Sequence, residues 1–206
     1  MIYIIITTSI VNKRGVIDDM HRQRRYTESI QTLLDFVEND IWIKPIIVEN
    51  NGARKTYLDD LNCEVCYTEN NIPDLYHKGL NELMDIQEVI RRYDIQDNDM
   101  VIKLTGRYKL LDASFIDTVK RYRGQYTAFV KFFNVCEKAY MANDCVLGLF
   151  AIQSKYLKTF YYDCSKSPEC EFAEYVRRHI PMDNLMEIDC LQLECCFADD
   201  LRLLVV

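Results

Sequence analysis

The chain has 206 residues, 25 basic and 32 acidic side chains, a formal net charge of −7 and 49% hydrophobic residues. That length suggests one domain, and the apolar content excludes a disordered or low-complexity chain. The acidity argues against a dedicated nucleic-acid binder, which carries an excess of Lys and Arg. The nine cysteines are irregularly spaced. A chain this long buries a core without covalent staples, so they read as reduced, buried thiols in a reducing compartment. No run reaches the eighteen or so apolar residues that span a bilayer. The opening Met1-Ile2-Tyr3-Ile4-Ile5-Ile6 is too short for a signal-peptide core and lacks a basic flank. The expected location is the cytoplasm.

Residues 2–6 form an unbroken β-rich run, as in a central parallel strand, and exit into Thr7-Thr8-Ser9. Over 19–38, Tyr26, Ile30, Leu33, Leu34 and Val37 share one helical face. Residues 46–48 are a second buried strand, followed by Glu49-Asn50-Asn51-Gly52. A short helix is expected over 57–61, then a third strand at 64–68 that exits into Glu69-Asn70-Asn71. Lys78-Gly79 opens a helix to about 93, its inward face carrying Leu80, Leu83, Met84, Ile86 and Ile90. Asp97-Asn98-Asp99 is a turn, and 100–104 a fourth strand entering Thr105-Gly106-Arg107-Tyr108. This alternation predicts an α/β, Rossmann-like layered fold with a mostly parallel, partly mixed central sheet flanked by helices. Beyond it, helices are expected over 112–121, 154–161 and 167–179, the last with Pro168 in its first turn. Strands are expected over 126–133 and 146–152, and in pieces from 185 to 206.

In open α/β sheets ligands bind beyond the carboxyl ends of the strands. The rule selects Thr7, Thr8 and Ser9, then Glu49, Asn50 and Asn51, then Asn70 and Asn71, and finally Thr105, Gly106, Arg107 and Tyr108. Arg22 lies four residues before Tyr26 and extends the inward stripe toward the pocket mouth, where it meets a phosphate or snorkels at the surface. Arg24 and Arg25 rotate away into solvent. Lys78-Gly79 marks a helix N-terminus suited to a diphosphate, or simply a helix start. Gly106 lets a ligand approach the backbone, and Arg107 supplies a fork for phosphate or carboxylate. The competing reading of that pair is a tight turn with an arginine held by a structural acid.

These edge loops resemble those of GT-A glycosyltransferases. The opening strand and polar loop match at residues 2–9. The second strand ending in an acid and then Asn matches Ile46-Ile47-Val48-Glu49-Asn50-Asn51-Gly52, which in the family touches the nucleoside. Asn70-Asn71 and Lys78-Gly79 match its third loop and following helix start. Cys145-Val146-Leu147-Gly148-Leu149-Phe150-Ala151-Ile152, followed by a helix with the early acids Glu169 and Glu171, resembles its acceptor half. The stretch Lys103 to Tyr108 is similar to glycosyltransferase-like proteins of large DNA viruses and some bacteria. The resemblance covers most of residues 1–180. It implies a single GT-A-like domain, with a nucleotide-binding half over about 1–110 and an acceptor half over about 111–206. It implies a transferase of hexosyl type, with a nucleotide-diphosphate sugar as donor and a glycan or other hydroxyl as acceptor. No nucleic-acid partner is expected.

One departure bears on cofactors. The family carries Asp-x-Asp after the fourth strand to hold Mn or Mg, and this chain has Thr105-Gly106-Arg107 there. Asp97-Asn98-Asp99 precedes the strand, at the opposite edge. Arg107, with Lys78 or Arg22, is then the source of positive charge for the diphosphate. Charge developing on the leaving group needs cationic and N–H donors, and an inverting transfer needs a carboxylate base. Glu171 and Glu169 are the candidates, ahead of Asp144 and Asp112, all of which also read as ordinary helix-start or loop acids. An alternative function is a catalytically silent nucleotide-sugar binder. A third is another Rossmann-like nucleotide enzyme such as a methyltransferase or nucleotidyltransferase.

Cys63-x-x-Cys66 lacks a matching second pair, and Cys190 and Cys195-Cys196 do not supply one, so a zinc site is not expected. His21, His77 and His179 form no motif, although His77 and Tyr76 adjoin the proposed pocket.

Overall fold

The computed structural model describes residues 1–11, 18–72, 78–197 and 200–206. Strand β1 (Ile2–Thr8) is buried along almost its whole length, because apolar side chains on both faces can be covered only in the middle of a sheet. It pairs in parallel with β2 (Ile43–Glu49) on one side and β4 (Met100–Thr105) on the other. Strand β3 (Glu64–Tyr67) extends the sheet beyond β2, also in parallel. The chain then adds β7 (Leu149–Gln153) antiparallel to β4, β6 (Ala128–Val130) antiparallel to β7, and β8 (Leu185–Glu187) parallel to β6. The order is β3-β2-β1-β4-β7-β6-β8, a mostly parallel mixed sheet flanked by helices.

Alternation along the strands sends side chains to two cores. On one face, Ile4, Ile6, Ile102 and Leu104 meet Tyr26, Ile30 and Leu33 of α1 (Asp19–Val37) and Phe115, Ile116 and Val119 of α3 (Ser114–Tyr122). On the other, Ile5, Val101 and Phe150 meet Leu83, Ile86 and Val89 of α2 (Lys78–Arg92). The same core takes Leu157 of α4 (Ser154–Thr159) and Phe172 of α5 (Pro168–His179). The inward face of α2 differs from expectation. Leu80 and Met84 are only half-buried, while Val89 and the carboxylate Asp85 turn inside.

The strand expected over 126–133 shrinks to three residues, and β7 starts at Leu149 rather than 146. A second, three-stranded sheet is the larger departure. In it β9 (Leu193–Cys196) lies between β5 (Lys109–Leu110) and β10 (Leu203–Val205). Its strands are two to four residues long, too short to show a period. Asp97-Asn98-Asp99 is a turn before β4, with Asp97 paired to Lys158 at 2.6 Å and Asp99 accepting from Gln96 N. Among the described residues no helix is long and apolar enough to cross a membrane.

Gly79 allows the start of α2 to press on the start of α5. A β-carbon there would lie 2.6 Å from Pro168 Cβ. Gly79→Ala is expected to lower unfolding stability by about 1–3 kcal/mol through overpacking. Gly124→Ala, where nothing lies within 4 Å of the added carbon, is expected to stay within about 0.5 kcal/mol. Urea denaturation of the two variants checks the contrast.

Candidate active site

Strands β1 to β4 all end at one edge, and the strand order reverses between β1 and β4, the point at which such sheets form a crevice. Hydrogen bonds lock the loops there together. Glu49 is fully buried. Its carboxylate accepts from Thr8 Oγ1 (2.8 Å), Ile10 N (3.1 Å), Asn51 N (3.2 Å) and Asn51 Nδ2 (2.5 Å). Ser9 Oγ accepts from Asn51 Nδ2 and Asn71 Nδ2, and Asn71 also donates to Asn51 Oδ1 at 2.6 Å. Asp85 on α2 is the second anchor, 1% exposed. It accepts from Thr68 Oγ1 (2.6 Å), Asn70 Nδ2 (2.9 Å) and Asn50 Nδ2 (3.0 Å). Burial pushes the Asp85 carboxyl up to about 6, against the pull of those three donors. Glu49, Asn50 and Asn70, expected to touch a ligand, are therefore spent on holding loops. Ser9, Asn51 and Asn71 remain half-buried at the rim.

Lys103 is also corrected. Its ammonium is 1% exposed and all three donors are used internally, on Glu82 Oε1 (2.9 Å), Thr105 Oγ1 (2.7 Å) and Leu147 O (2.7 Å). Thr7 Oγ1 donates to the same Glu82 oxygen at 2.5 Å. Burial pulls the Lys103 ammonium down, more strongly than Glu82 raises it. Burial also pushes Glu82 up, but Lys103 and Thr7 together outweigh it and hold that carboxyl below its usual range. A cavity of about 10 Å³ lies beneath the pair, among Gly79, Leu147, Phe150, Tyr162 and Phe172, room for about one water.

Gly106 serves a different purpose from the one expected. A β-carbon on it would lie 2.9 Å from Thr8 Cγ2, 3.0 Å from Thr7 O and 3.0 Å from Tyr26 Cδ1. It lets the end of β4 pass against β1 and α1, with Gly106 N donating to Thr7 O, rather than admitting a ligand. Tyr108 turns back over Gly148, whose added β-carbon would lie 2.3 Å from the ring, so packing accounts for it. Arg107 lies between. Its Nε donates to Cys196 O at 2.7 Å and its guanidinium lies 5.1 Å from the Tyr108 ring centre. Arg22 is 8% exposed and Nη1 donates to Ser9 O at 3.4 Å. Tyr26, one turn further along α1, accepts from Ser9 N. Arg25, expected in solvent, instead pairs with Glu194 at 2.8 Å and donates to Arg107 O.

The start of α5 packs against the start of α2. Glu171 is removed as a base, because its oxygens accept from Asp163 N (2.9 Å) and Lys166 N (3.0 Å) and cap the preceding loop. Asp112 caps α3 through Ser114 N, and Asp144 takes Asn134 Nδ2. Glu169 is half-buried and its charge acts on Lys103 and Tyr162. Tyr76, His77 and the Lys78 side chain lie outside the described residues. The nine cysteines are all free thiols, and burial pushes Cys63 up to about 11.

Several residues of the site had no signal in the sequence. Glu82 and Asp85 sit three apart on α2, and helical spacing does predict that they share a face. Nothing local marks Tyr57, whose hydroxyl is buried without a hydrogen-bond partner among the described residues. It lies within electrostatic reach of Tyr26, Glu49 and Arg22. Cys196 contributes only a carbonyl.

The sheet order, the switch-point crevice and the small second sheet define a GT-A-like, Rossmann-type fold. No protein-family model and no curated protein matches the sequence. Solved structures match it in fold alone. A protein of Desulfovibrio desulfuricans assigned as a nucleotide-diphospho-sugar transferase superposes with a TM-score of 0.57 at 10% identity, covering 91% of this chain and 79% of that one. A cytidylyltransferase of Leptospira borgpetersenii gives 0.56 at 11% identity over 91% and 75%. Glucosyl-3-phosphoglycerate synthase of Mycobacterium tuberculosis, solved with Mn2+, UDP and phosphoglyceric acid, gives 0.56 at 10% identity over 90% and 67%. The likeness is one of fold.

Two stability tests follow from the buried charges. Folded Asp85 keeps its proton up to about pH 6, whereas an unfolded aspartate loses it near 4. Its contribution therefore falls as pH rises from about 4 to 6, by on the order of 2–3 kcal/mol. Carboxyls held low, such as Glu82 and Glu88, act in the opposite sense. The check is the pH-dependence of stability in wild type minus that in Asp85→Asn, which should fall across that window. Lys103→Met should cost about 3–5 kcal/mol by stranding Glu82. Lys103→Met with Glu82→Met should recover most of it, as read by denaturant unfolding.

Proposed function

We propose that the chain is a glycosyltransferase of hexosyl type. It takes a nucleotide-diphosphate sugar at the switch-point crevice and passes the sugar to the hydroxyl of a glycan or other acceptor. The observation that carries this reading is the pair Arg22 and Arg107. Both are at least half-buried at the ends of β1 and β4, and each is held by a backbone carbonyl. Fixed donors aimed at developing charge need no reorganisation as the bond to the leaving diphosphate breaks. Ser9, Asn51, Asn71 and the unfilled Tyr57 hydroxyl offer polar contacts to the nucleoside side. Glu169, at the start of α5, takes the acceptor proton as general base. The whole chain acts as one domain, and its nine free thiols suit a reducing cytoplasm. The likeness to a cytidylyltransferase favours nucleotidyl transfer as the second reading, with pyrophosphate as the released product. A silent nucleotide-sugar binder is the third.

A panel of nucleotide sugars in a thermal-shift assay, followed by product analysis, separates the three. Glycosyl transfer predicts a shift with one donor and slow release of a nucleoside diphosphate. Arg107→Ala should lower turnover by about 100-fold or more, and Glu169→Gln should lower kcat by about 100-fold with donor affinity kept. Pyrophosphate released in a parallel reaction supplied with a nucleoside triphosphate and a sugar phosphate would replace the reading by nucleotidyl transfer. Binding without turnover would leave a silent module, and no shift with any donor would reject all three.

A further inference from the structure

GT-A-like sites commonly hold a divalent metal against the diphosphate, and the residues present here do not fit one. Oxygen ligands for Mg or Mn come chiefly from carboxylates, and those nearest the crevice floor are committed. Glu49 takes Thr8, Ile10 and Asn51 on its two oxygens. Asp85 takes Thr68, Asn70 and Asn50. Glu82 Oε1 already takes Lys103 and Thr7. The segment after β4, Thr105-Gly106-Arg107, brings a cation and no acid. Among the described residues no group of three His, Cys, Asp or Glu side chains is placed to hold a metal ion.

The cations show the converse. Arg25 has a carboxylate partner in Glu194. Arg22 and Arg107 form no ion pair among the described residues; each donates to a backbone carbonyl, and Arg107 also meets Tyr108 and feels the charge of Glu82, which Lys103 already neutralises. A guanidinium removed from water calls for an anion, and both of these adjoin Tyr26, Arg22 one turn before it on α1 and Arg107 within its electrostatic reach. Arg22 holds Ser9 O. Tyr26 holds Ser9 N and packs under Gly106, the residue before Arg107. Arginine forks match phosphate oxygens with fixed geometry.

Resting on the donor reading above, we propose that this site binds the diphosphate of its nucleotide directly through Arg22 and Arg107, with no divalent metal. The charge that a metal would neutralise is met by two guanidinium groups bonded to the backbone, one at the turn after β1 and one at the last residue of β9.

The test is isothermal titration of the full chain with UDP, GDP, CDP, ADP and TDP, each in EDTA and in manganese chloride. The expected result is one nucleoside diphosphate bound in EDTA, with affinity changed less than threefold by manganese. Arg107→Gln and Arg22→Gln should each weaken that binding by about tenfold or more, while their melting temperatures show that the fold persists. If either variant unfolds, Arg107→Lys or Arg22→Lys replaces it; each keeps a charge but loses the fork, and an intermediate loss is expected. Binding that requires manganese, or is unchanged in the variants, overturns the metal-free site and leaves the donor reading standing. No binding in either buffer overturns the donor reading, and this proposal falls with it.

Discussion

The site depends on one buried ammonium. Lys103 sits within the central sheet, where a lone charge is not tolerated, and its three bonds dictate what surrounds it. Glu82 fixes α2 against β4, Thr105 holds the strand end, and Leu147 O brings in the turn before β7. Thr7 joins through the same Glu82 oxygen, so β1 is included. Four segments distant in sequence are thereby registered at the crevice floor. Such a pair contributes little net stability, since desolvation offsets attraction. What it supplies is position.

Glu49 and Asp85 repeat the arrangement for the rim. Each is an acceptor-only group meeting several donors, so each gathers loops rather than one partner. Glu49 joins the exits of β1 and β2, and Asp85 joins the exits of β2 and β3 to α2. Glu49 and Asp85 are thus turned inward, and the rim carries amides, hydroxyls and guanidinium groups beside the exposed Glu69. On the donor reading proposed above, a chain of net charge −7 receives an anion because the local arrangement governs the field there.

The layered architecture was legible because its signals are local. Residues 2–6 read as a central strand from composition alone, and the stripe Tyr26, Ile30, Leu33 identified the buried face of α1. The edge was legible too, through the rule on strand ends. What was not legible is which polar residues on that edge are already spoken for. Lys103 and Glu82 are 21 positions apart in number, Asn50 and Asp85 are 35 apart, and Arg107 and Cys196 are 89 apart. A hydrogen-bond partner at that range leaves no trace in a window of ten or twenty residues. Glu171 was misread for a nearer reason, since a helix-start acid that caps its own loop looks the same in sequence as one that faces a pocket. Gly106 was read as space for a ligand, when the space is filled by Thr8 and Tyr26.

The grip of Cys196 O on Arg107 sets an order of events during synthesis. The strands β1 to β4 lie within the first 105 residues, but the floor beneath them closes only when Leu147 O reaches Lys103. Arg107 then waits for β9, which emerges about ninety residues later, some 5–18 s at the usual 5–20 residues per second. Only when that strand docks beside β5 does the guanidinium acquire its fixed direction. The direction of Arg107 is therefore among the last features of this edge to be set, after the floor that Lys103 closes through Leu147.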